Sequence, residues 1–417
     1  MAAKLYGLLG RTLKHSYSVQ IHRELGCGDY RLLELEPDAL QAFFQRSDIG
    51  GLNVTIPYKR DVMPLCDSLD AEALAIGSVN TIVADTNGKL HGYNTDAYGL
   101  RFLADCAGIR FAGKKVVIFG SGGASLTAQA VARAEHASEV VVISRSGANG
   151  YGDLDRHADA QILMNATPLG MYPNVDDMPA DPARFPDCSG VLDMVYNPRR
   201  TAFLQRAKQL GIPCMDGLPM LVAQAKRAEE LFFNKPIADR ENARILHRLY
   251  QDAGNIVLIG MPGSGKSTIG KALAQITSRQ LVDLDEEIVR EAGCSIETIF
   301  AQQGEAAFRS MERAAVRRWG KEHGVLLVTG GGIVKDASNL ASLRLNGRIY
   351  QIERDVQLLS RSGRPLSLHA DLDEMYRQRQ PLYEAFRDIA ANNNGTAQQT
   401  ATWIWREYCE NIGIERS

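Results

Sequence analysis

Two stretches of this chain carry the residue types and spacings of phosphate chemistry. Residues 260–267 read GMPGSGKS, after an apolar run and before an amphipathic one. Such a loop turns backbone N–H groups inward around phosphate oxygens and adds the positive end of a helix. The nucleotide contacts then fall on Gly263, Ser264, Gly265, Lys266, Ser267 and Thr268, with Lys266 on the β- and γ-phosphates and Ser267 on Mg²⁺. By itself the loop leaves ATP or GTP open, although no guanine-type N-K-x-D follows it. Downstream, LVDLDEE (281–287) places Asp283 and Asp285 on one face of a strand end. One suits a metal and the other a substrate hydroxyl, while a lone pair of this kind could also just cap the next helix. Arg309, Arg361, Arg364 and Arg379 supply guanidiniums, which bind a small carboxylate and a transferring phosphate bidentately.

The second stretch is FGSGGAS (119–125), at the end of the apolar run KKVVIF. Gly120, Gly122 and Gly123, with Ser121 and Ala124 between and after them, let a dinucleotide pyrophosphate approach a helix N-terminus. The following strand, EVVVISR, ends in Ser144 and Arg145 where an NAD site usually has an acidic residue. An arginine there suits the 2′-phosphate of NADP.

Further motifs widen both sites into resemblances. The phosphate loop, DLD at 283–285, FR at 308–309, GGG at 330–332, GRPL at 363–366 and RQPLY at 379–383 closely resemble shikimate kinase over residues 255–417. The resemblance implies that the nucleotide is ATP and that Asp285, Arg309, Gly331 and Arg379 bind shikimate. It further implies that Asp285 orients or deprotonates the attacking hydroxyl, that Asp283 holds Mg²⁺, and that Arg364 reaches the phosphates from a lid. The amino half carries YGLLGRTLKHSYS (6–18), LNVTIPYK (52–59), GSVNT (77–81), YNTD (93–96), NATPLGM (165–171), DMVYNP (193–198) and DGLPMLVAQA (216–225). Together these are similar to shikimate dehydrogenase over residues 4–250. That likeness implies a catalytic pair, Lys59 and Asp96, the lysine donating the proton and the aspartate orienting it. It also implies a substrate site of Ser16, Ser18, Asn53, Thr55, Lys59, Asn80, Asp96 and Gln224, with Met194, Tyr196 and Gly217 near the nicotinamide. Small polar side chains of this kind are what a polyhydroxylated ring acid needs. Read alone, Asp96 would instead cap the helix beginning there. The family's N-R-T is S-R-S here (144–146), Val19 stands for a proline, Ala97 for a glycine, and residues 145–165 are shortened, as if a helix were trimmed.

Positioning these residues requires α/β architecture. Short apolar runs alternate with longer amphipathic stretches, the pattern of βα units and mostly parallel sheets. Strands are expected at 4–9, 30–35, 50–55, 79–83, 114–120 and 139–145, with helices near 18–25, 37–46, 94–107, 218–233 and 239–250. The pattern restarts at Asn255, so the expected order is a substrate domain (1–100 plus helices about 218–250), a Rossmann-like NADP domain (101–217), and a P-loop, nucleoside-monophosphate-kinase-like domain (254–417). The separator QDAG (251–254) is too short to be a flexible tether.

Composition fits two or three such domains in 417 residues, with 47 basic and 49 acidic residues arguing against a general nucleic-acid binder. No apolar run spans a membrane, and seven scattered cysteines without a CxxC pair suit free thiols in a cytoplasmic protein. The reading is a bifunctional enzyme: NADPH-dependent reduction of 3-dehydroshikimate, then Mg·ATP-dependent phosphorylation of shikimate. Its partners are these small molecules, with self-association into a homo-oligomer left open. The alternatives are a dehydrogenase half reduced to a binding or regulatory module, or one acting on quinate and shikimate with NAD.

Overall fold

The computed structural model describes residues 4–13, 16–359 and 372–413. The chain divides into two compact units, Met1–Leu246 and His247–Ser417. The division falls within one helix, Arg240–Ala253, so QDAG is mostly helical rather than a loop.

The first unit holds two sheets. Strands β1 (Leu5–Gly10), β2 (Tyr30–Glu34), β3 (Ile49–Val54), β4 (Ser68–Leu69), β5 (Thr81–Ala84) and β6 (Leu90–Tyr93) form a mixed sheet in the order β2-β1-β3-β5-β6-β4. Here β1 runs parallel to β2 and β3, and β5 is antiparallel to β3 and β6. Every residue of β3 is buried, which is why it reads as a continuous apolar run ending at Asn53 and Val54. The expected helix at 37–46 is broken into a 3₁₀ turn, Pro37–Ala39, and a single helical turn, Leu40–Phe43. Proline fits only the first positions of a helix, so it delays the start.

Strands β7 (Lys115–Phe119), β8 (Glu139–Ile143), β9 (Ile162–Asn165), β10 (Gly190–Asp193) and β11 (Cys214–Met215) make a second sheet, wholly parallel, in the order β11-β10-β9-β7-β8. Apolar clusters cover both its faces, as a parallel sheet requires. Between β8 and β9 a 3₁₀ segment, Tyr151–His157, stands where a full crossover helix would be, so the shortening read from sequence is real. Helices Asp96–Cys106 and Leu218–Phe233 lie against each other at Gly99, where a Cβ would come within 2.6 Å of the Met220 carbonyl. That close crossing brings Asp96 and Gln224 toward one cavity.

The second unit is a parallel sheet, β13-β14-β12-β15-β16, of β12 (Asn255–Ile259), β13 (Leu281–Asp283), β14 (Leu326–Val328), β15 (Gly347–Glu353) and β16 (Ile389–Asn392). Central β12 is completely buried and leads through the phosphate loop into helix Lys266–Thr277. The long helix Ile296–Gly320 breaks at Gly304, whose φ of 82° only glycine adopts freely.

Candidate active sites

The first unit contains a cavity of about 550 Å³. All eight residues expected to bind the ring substrate line it: Ser16, Ser18, Asn53, Thr55, Lys59, Asn80, Asp96 and Gln224. Ser16 and Ser18 share a hydroxyl hydrogen bond of 2.9 Å. Lys59 Nζ lies 2.5 Å from Asp96 Oδ2, with side chains only 16% and 9% exposed. Asp96 is the first residue of its helix and Thr95 is the N-cap, so the carboxylate is released from capping duty. Its other oxygen accepts from Asn80 Nδ2 at 2.8 Å, and the side-chain Oδ1 of Asn80 accepts from the Thr95 N–H at 2.7 Å. Asn80 therefore fixes the rotamer that aims Asp96 at the lysine.

The opposite wall is the glycine turn. Gly120 has a φ of 108°, and a Cβ there would meet the Ala166 carbonyl at 2.8 Å. Ser121, Gly122, Gly123 and Ala124 line the cavity where helix Gly123–Ala134 begins, with Gly122 as its N-cap. A Cβ on Gly123 would sit 3.3 Å from Lys59 Cδ, so the turn reaches the lysine stem. Met194, Tyr196 and Gly217 also line it, and Gly217 is pressed so close to the Met194 carbonyl that a Cβ would lie 2.3 Å away. Ser144 and Arg145 stand apart from this lining: Arg145 is exposed, and the Ser144 hydroxyl is buried without a partner. Sequence reasoning missed Asp193, which supports the Met194–Tyr196 loop. Its carboxyl is fully buried and accepts from Asn165 Nδ2 (2.9 Å), Val195 N (2.9 Å) and Thr201 Oγ1 (2.7 Å). Burial, against these three donors, pushes it up to about 7.

In the second unit a cavity of about 790 Å³ gathers Lys266, Ser267, Asp283, Asp285, Arg309, Gly331 and Arg379. Gly263 and Gly265 take positive φ of 85° and 96°, shaping the loop ahead of Lys266. Lys266 Nζ donates to the Gly260 and Met261 carbonyls at 2.8 and 3.0 Å. Ser264 is fully buried and Thr268 lies in the first turn of the following helix. Ser267 Oγ is 3.0 Å from Asp283 Oδ2.

The strand-end expectation for the acidic pair needs correction. Strand β13 stops at Asp283, which caps helix Leu284–Ala292 by accepting from the Asp285 N–H at 3.1 Å, so Asp285 belongs to the helix. Both still face the cavity, because the strand ends directly into the helix.

Each glycine of GGG makes room for a different neighbour. A Cβ would stand 2.7 Å from Asp285 Oδ1 at Gly330, 2.6 Å from Pro262 at Gly331 and 2.5 Å from Arg309 Nη2 at Gly332. The Gly331 carbonyl accepts from Arg379 Nη1 at 3.1 Å and from the Tyr383 hydroxyl at 2.5 Å. Arg309 is held by Glu312 (2.7 Å) and Glu305 (3.1 Å), neither of which was anticipated. Glu312 sits three residues along the same helix and is 2% exposed; burial raises its pKa against the pull of Arg309. The i, i+3 spacing in FRSME was the available signal. From the segment after β16, Asn393 Nδ2 donates to the Ser264 carbonyl at 2.7 Å, bracing the phosphate loop. Arg361 and Arg364 lie outside the described residues.

Comparison with known proteins assigns both halves. The shikimate dehydrogenase (NADP(+)) of Clostridium beijerinckii is 36% identical over 248 residues, covering 55% of this chain and 92% of that protein. The shikimate kinase family model matches residues 262–409, and the shikimate dehydrogenase substrate binding domain matches residues 8–82. The chain belongs to the shikimate dehydrogenase family and continues into a shikimate kinase domain. Among solved structures, shikimate dehydrogenase 1 from Peptoclostridium difficile is 34% identical with a TM-score of 0.55, covering 59% of this chain and 97% of its own. A chorismate mutase/shikimate 5-dehydrogenase fusion protein from Clostridium acetobutylicum, 30% identical, gives a TM-score of 0.57 over 60% of this chain and 98% of that one. The dehydrogenase family thus accounts for the two sheets of the first unit, and the kinase model for most of the second.

Proposed function

We propose that this chain catalyses two consecutive reactions: NADPH-dependent reduction of 3-dehydroshikimate to shikimate, then Mg·ATP-dependent phosphorylation of shikimate to shikimate 3-phosphate. The supporting observation is that each cavity sets a nucleotide-phosphate turn opposite the hydroxyl and carboxylate partners of a ring acid. Residues 1–100 with helices about 218–250 serve the ring substrate, 101–217 the dinucleotide, and 254–417 the kinase reaction. Seven free cysteines and the lack, among the described residues, of a helix long and apolar enough to cross a membrane support a cytoplasmic enzyme.

In the dehydrogenase site the glycine turn leaves room for a pyrophosphate, because a Cβ on Gly122 would meet nothing within 4 Å. Gly120, Ser121, Gly122, Gly123 and Ala124 then hold the phosphates, Met194, Tyr196 and Gly217 the nicotinamide side, and Ser144 with Arg145 the 2′-phosphate. When bound, the nicotinamide supplies the hydride that reduces the ring ketone. Lys59 Nζ donates a proton to the ketone oxygen as negative charge develops there. Asp96, held by Asn80, keeps the lysine aimed, while Ser16, Ser18, Asn53, Thr55 and Gln224 bond the ring's hydroxyls and carboxylate.

In the kinase site Ser267 and Asp283 present hard oxygens 3.0 Å apart, the donor type that would hold a Mg²⁺. When bound, that ion neutralises phosphate charge. Gly263 to Thr268 cradle the ATP phosphates, with Arg364 as a further contact, and Lys266 exchanges its two loop carbonyls for phosphate oxygens. Arg309 and Arg379 hold the shikimate carboxylate beside Gly331. Asp285 accepts the proton of the attacking hydroxyl.

Separate assays test the two halves. NADPH oxidation with 3-dehydroshikimate should need no ATP or Mg²⁺, and ADP formation from shikimate and ATP should stop on adding EDTA. Comparing NADPH with NADH, and 3-dehydroshikimate with 3-dehydroquinate, decides the cofactor and ring acid. Persistent ADP formation in Asp285→Asn would remove the kinase assignment.

A further inference from the structure

Behind the ring-acid cavity of the first unit lies a buried group that the proposed chemistry does not use. His22 Nδ1 is 2.7 Å from Glu229 Oε2, and the two side chains are 1% and 3% exposed. The imidazole stacks face to face on Tyr30, with ring centroids 3.8 Å apart and planes 8° from parallel. The Tyr30 hydroxyl in turn lies 2.7 Å from Asn53 Oδ1, and Tyr30 is itself outside the cavity lining while Asn53 is part of it.

The polarity of this chain of contacts follows from its far end. Asn53 Nδ2 lies 3.2 Å from Thr81 Oγ1 and 3.5 Å from the Asn80 carbonyl. The carbonyl only accepts, and Thr81 Oγ1 has Asn80 Oδ1 as an acceptor for its single proton at 3.1 Å. The amide nitrogen of Asn53 must therefore occupy that end, leaving its oxygen toward Tyr30. Burial, aided by the nearby Glu229 charge, holds the Tyr30 hydroxyl far above its ordinary pKa, so it remains a donor. Deleting that donor takes away the partner of the Asn53 oxygen and leaves the amide held at its nitrogen end only.

We propose that Tyr30, clamped by the His22–Glu229 pair, is a positioning residue that holds the Asn53 amide by its oxygen, so that one of its two N–H groups meets Thr81 and the Asn80 carbonyl and the other is offered to a hydroxyl or carboxylate oxygen of the substrate. The inference rests on the reading of this cavity as the dehydrogenase substrate site. Tyr30 never touches the substrate; it acts through Asn53 alone. Residues two strands away from the catalytic lysine thereby set which end of one amide the ring acid meets.

The test is a double-mutant cycle in the full chain, with NADPH oxidation as the readout. Tyr30→Phe keeps the ring and its stack on His22 while deleting one hydroxyl. The expected result is a KM for 3-dehydroshikimate raised about tenfold, as for loss of a hydrogen bond to a buried group. The KM for NADPH and the kcat should move less than threefold. In an Asn53→Ala background the same change should add nothing further, because the residue it acts through is gone. An unchanged KM in active Tyr30→Phe enzyme, or a full tenfold effect surviving in Asn53→Ala, would overturn the proposal. A wild-type chain that oxidises no NADPH with this substrate would instead overturn the reading of the site, and the proposal with it.

Discussion

Replacing Lys59 by methionine keeps most of its stem, which packs within reach of the glycine turn, and removes only the ammonium. The Lys59–Asp96 contact of 2.5 Å joins side chains that are 16% and 9% exposed, so the pair is largely but not wholly desolvated. Removing one partner of a buried pair costs about 3–5 kcal/mol, and the remaining exposure puts this one at or below the lower end. Asn80 still satisfies the other Asp96 oxygen at 2.8 Å, so the unit should stay folded. Losing a positioned proton donor costs roughly 10²- to 10⁴-fold in rate. The expected outcome is therefore a kcat for NADPH oxidation lowered by about that factor, with NADPH binding little changed in a fluorescence titration. ADP formation from added shikimate provides an internal control, because none of the substituted atoms belongs to the second unit. A kcat reduced less than tenfold would refute the role given to Lys59. A parallel loss of ADP formation would show that the substitution acts on folding and not on proton transfer.

Three further outcomes are expected. Gly332→Ala should push Arg309 from its place, since a Cβ would stand 2.5 Å from Nη2, and steady-state kinetics should show a shikimate KM raised about tenfold or more with the MgATP KM unchanged. Asn393→Ala removes the 2.7 Å donor to the Ser264 carbonyl and the 3.0 Å acceptor for Thr400 Oγ1, so the KM for MgATP should rise about tenfold while that for shikimate holds. Asp193, pushed up to about 7, binds its proton more tightly in the folded state than in the unfolded one. Its stability contribution is complete below about pH 4 and is lost as pH rises through about 7. Calorimetry should therefore show the NADPH-responsive unfolding transition falling over that window, with a flatter dependence in Asp193→Asn.

The parallel cores and both phosphate turns were legible because buried strands write themselves as apolar runs that stop at glycine. Much of the site was legible for a related reason: Lys59, Asp96, Asp285, Arg309 and Arg379 stand inside motifs whose spacing is set by strand ends and helix starts. What sequence reasoning missed was held by contacts distant along the chain. Glu229 meets His22 across 207 residues, and Asn393 reaches Ser264 across 129, so no local pattern announces either. The short strands Ser68–Leu69 and Leu90–Tyr93 escaped notice because two to four residues give no periodicity to read. Asp285 was assigned to a strand end since nothing in LVDLDEE marks where extended backbone becomes helix, until the Asp283 side chain is seen capping it. Arg145, expected beside the dinucleotide, stands exposed in the loop after β8 and outside the cavity lining.

The most direct measurement places the full chain with 3-dehydroshikimate, NADPH and Mg·ATP in one vessel and follows NADPH loss and ADP release together. NADPH oxidation should begin at once, ADP should follow after a lag, and the two should approach equal amounts. Adding shikimate should abolish the lag, and in Lys59→Met it should restore ADP release alone. ADP formed from 3-dehydroshikimate without NADPH, or NADPH oxidised with no ADP to follow, would contradict the assignment of two consecutive reactions to this chain.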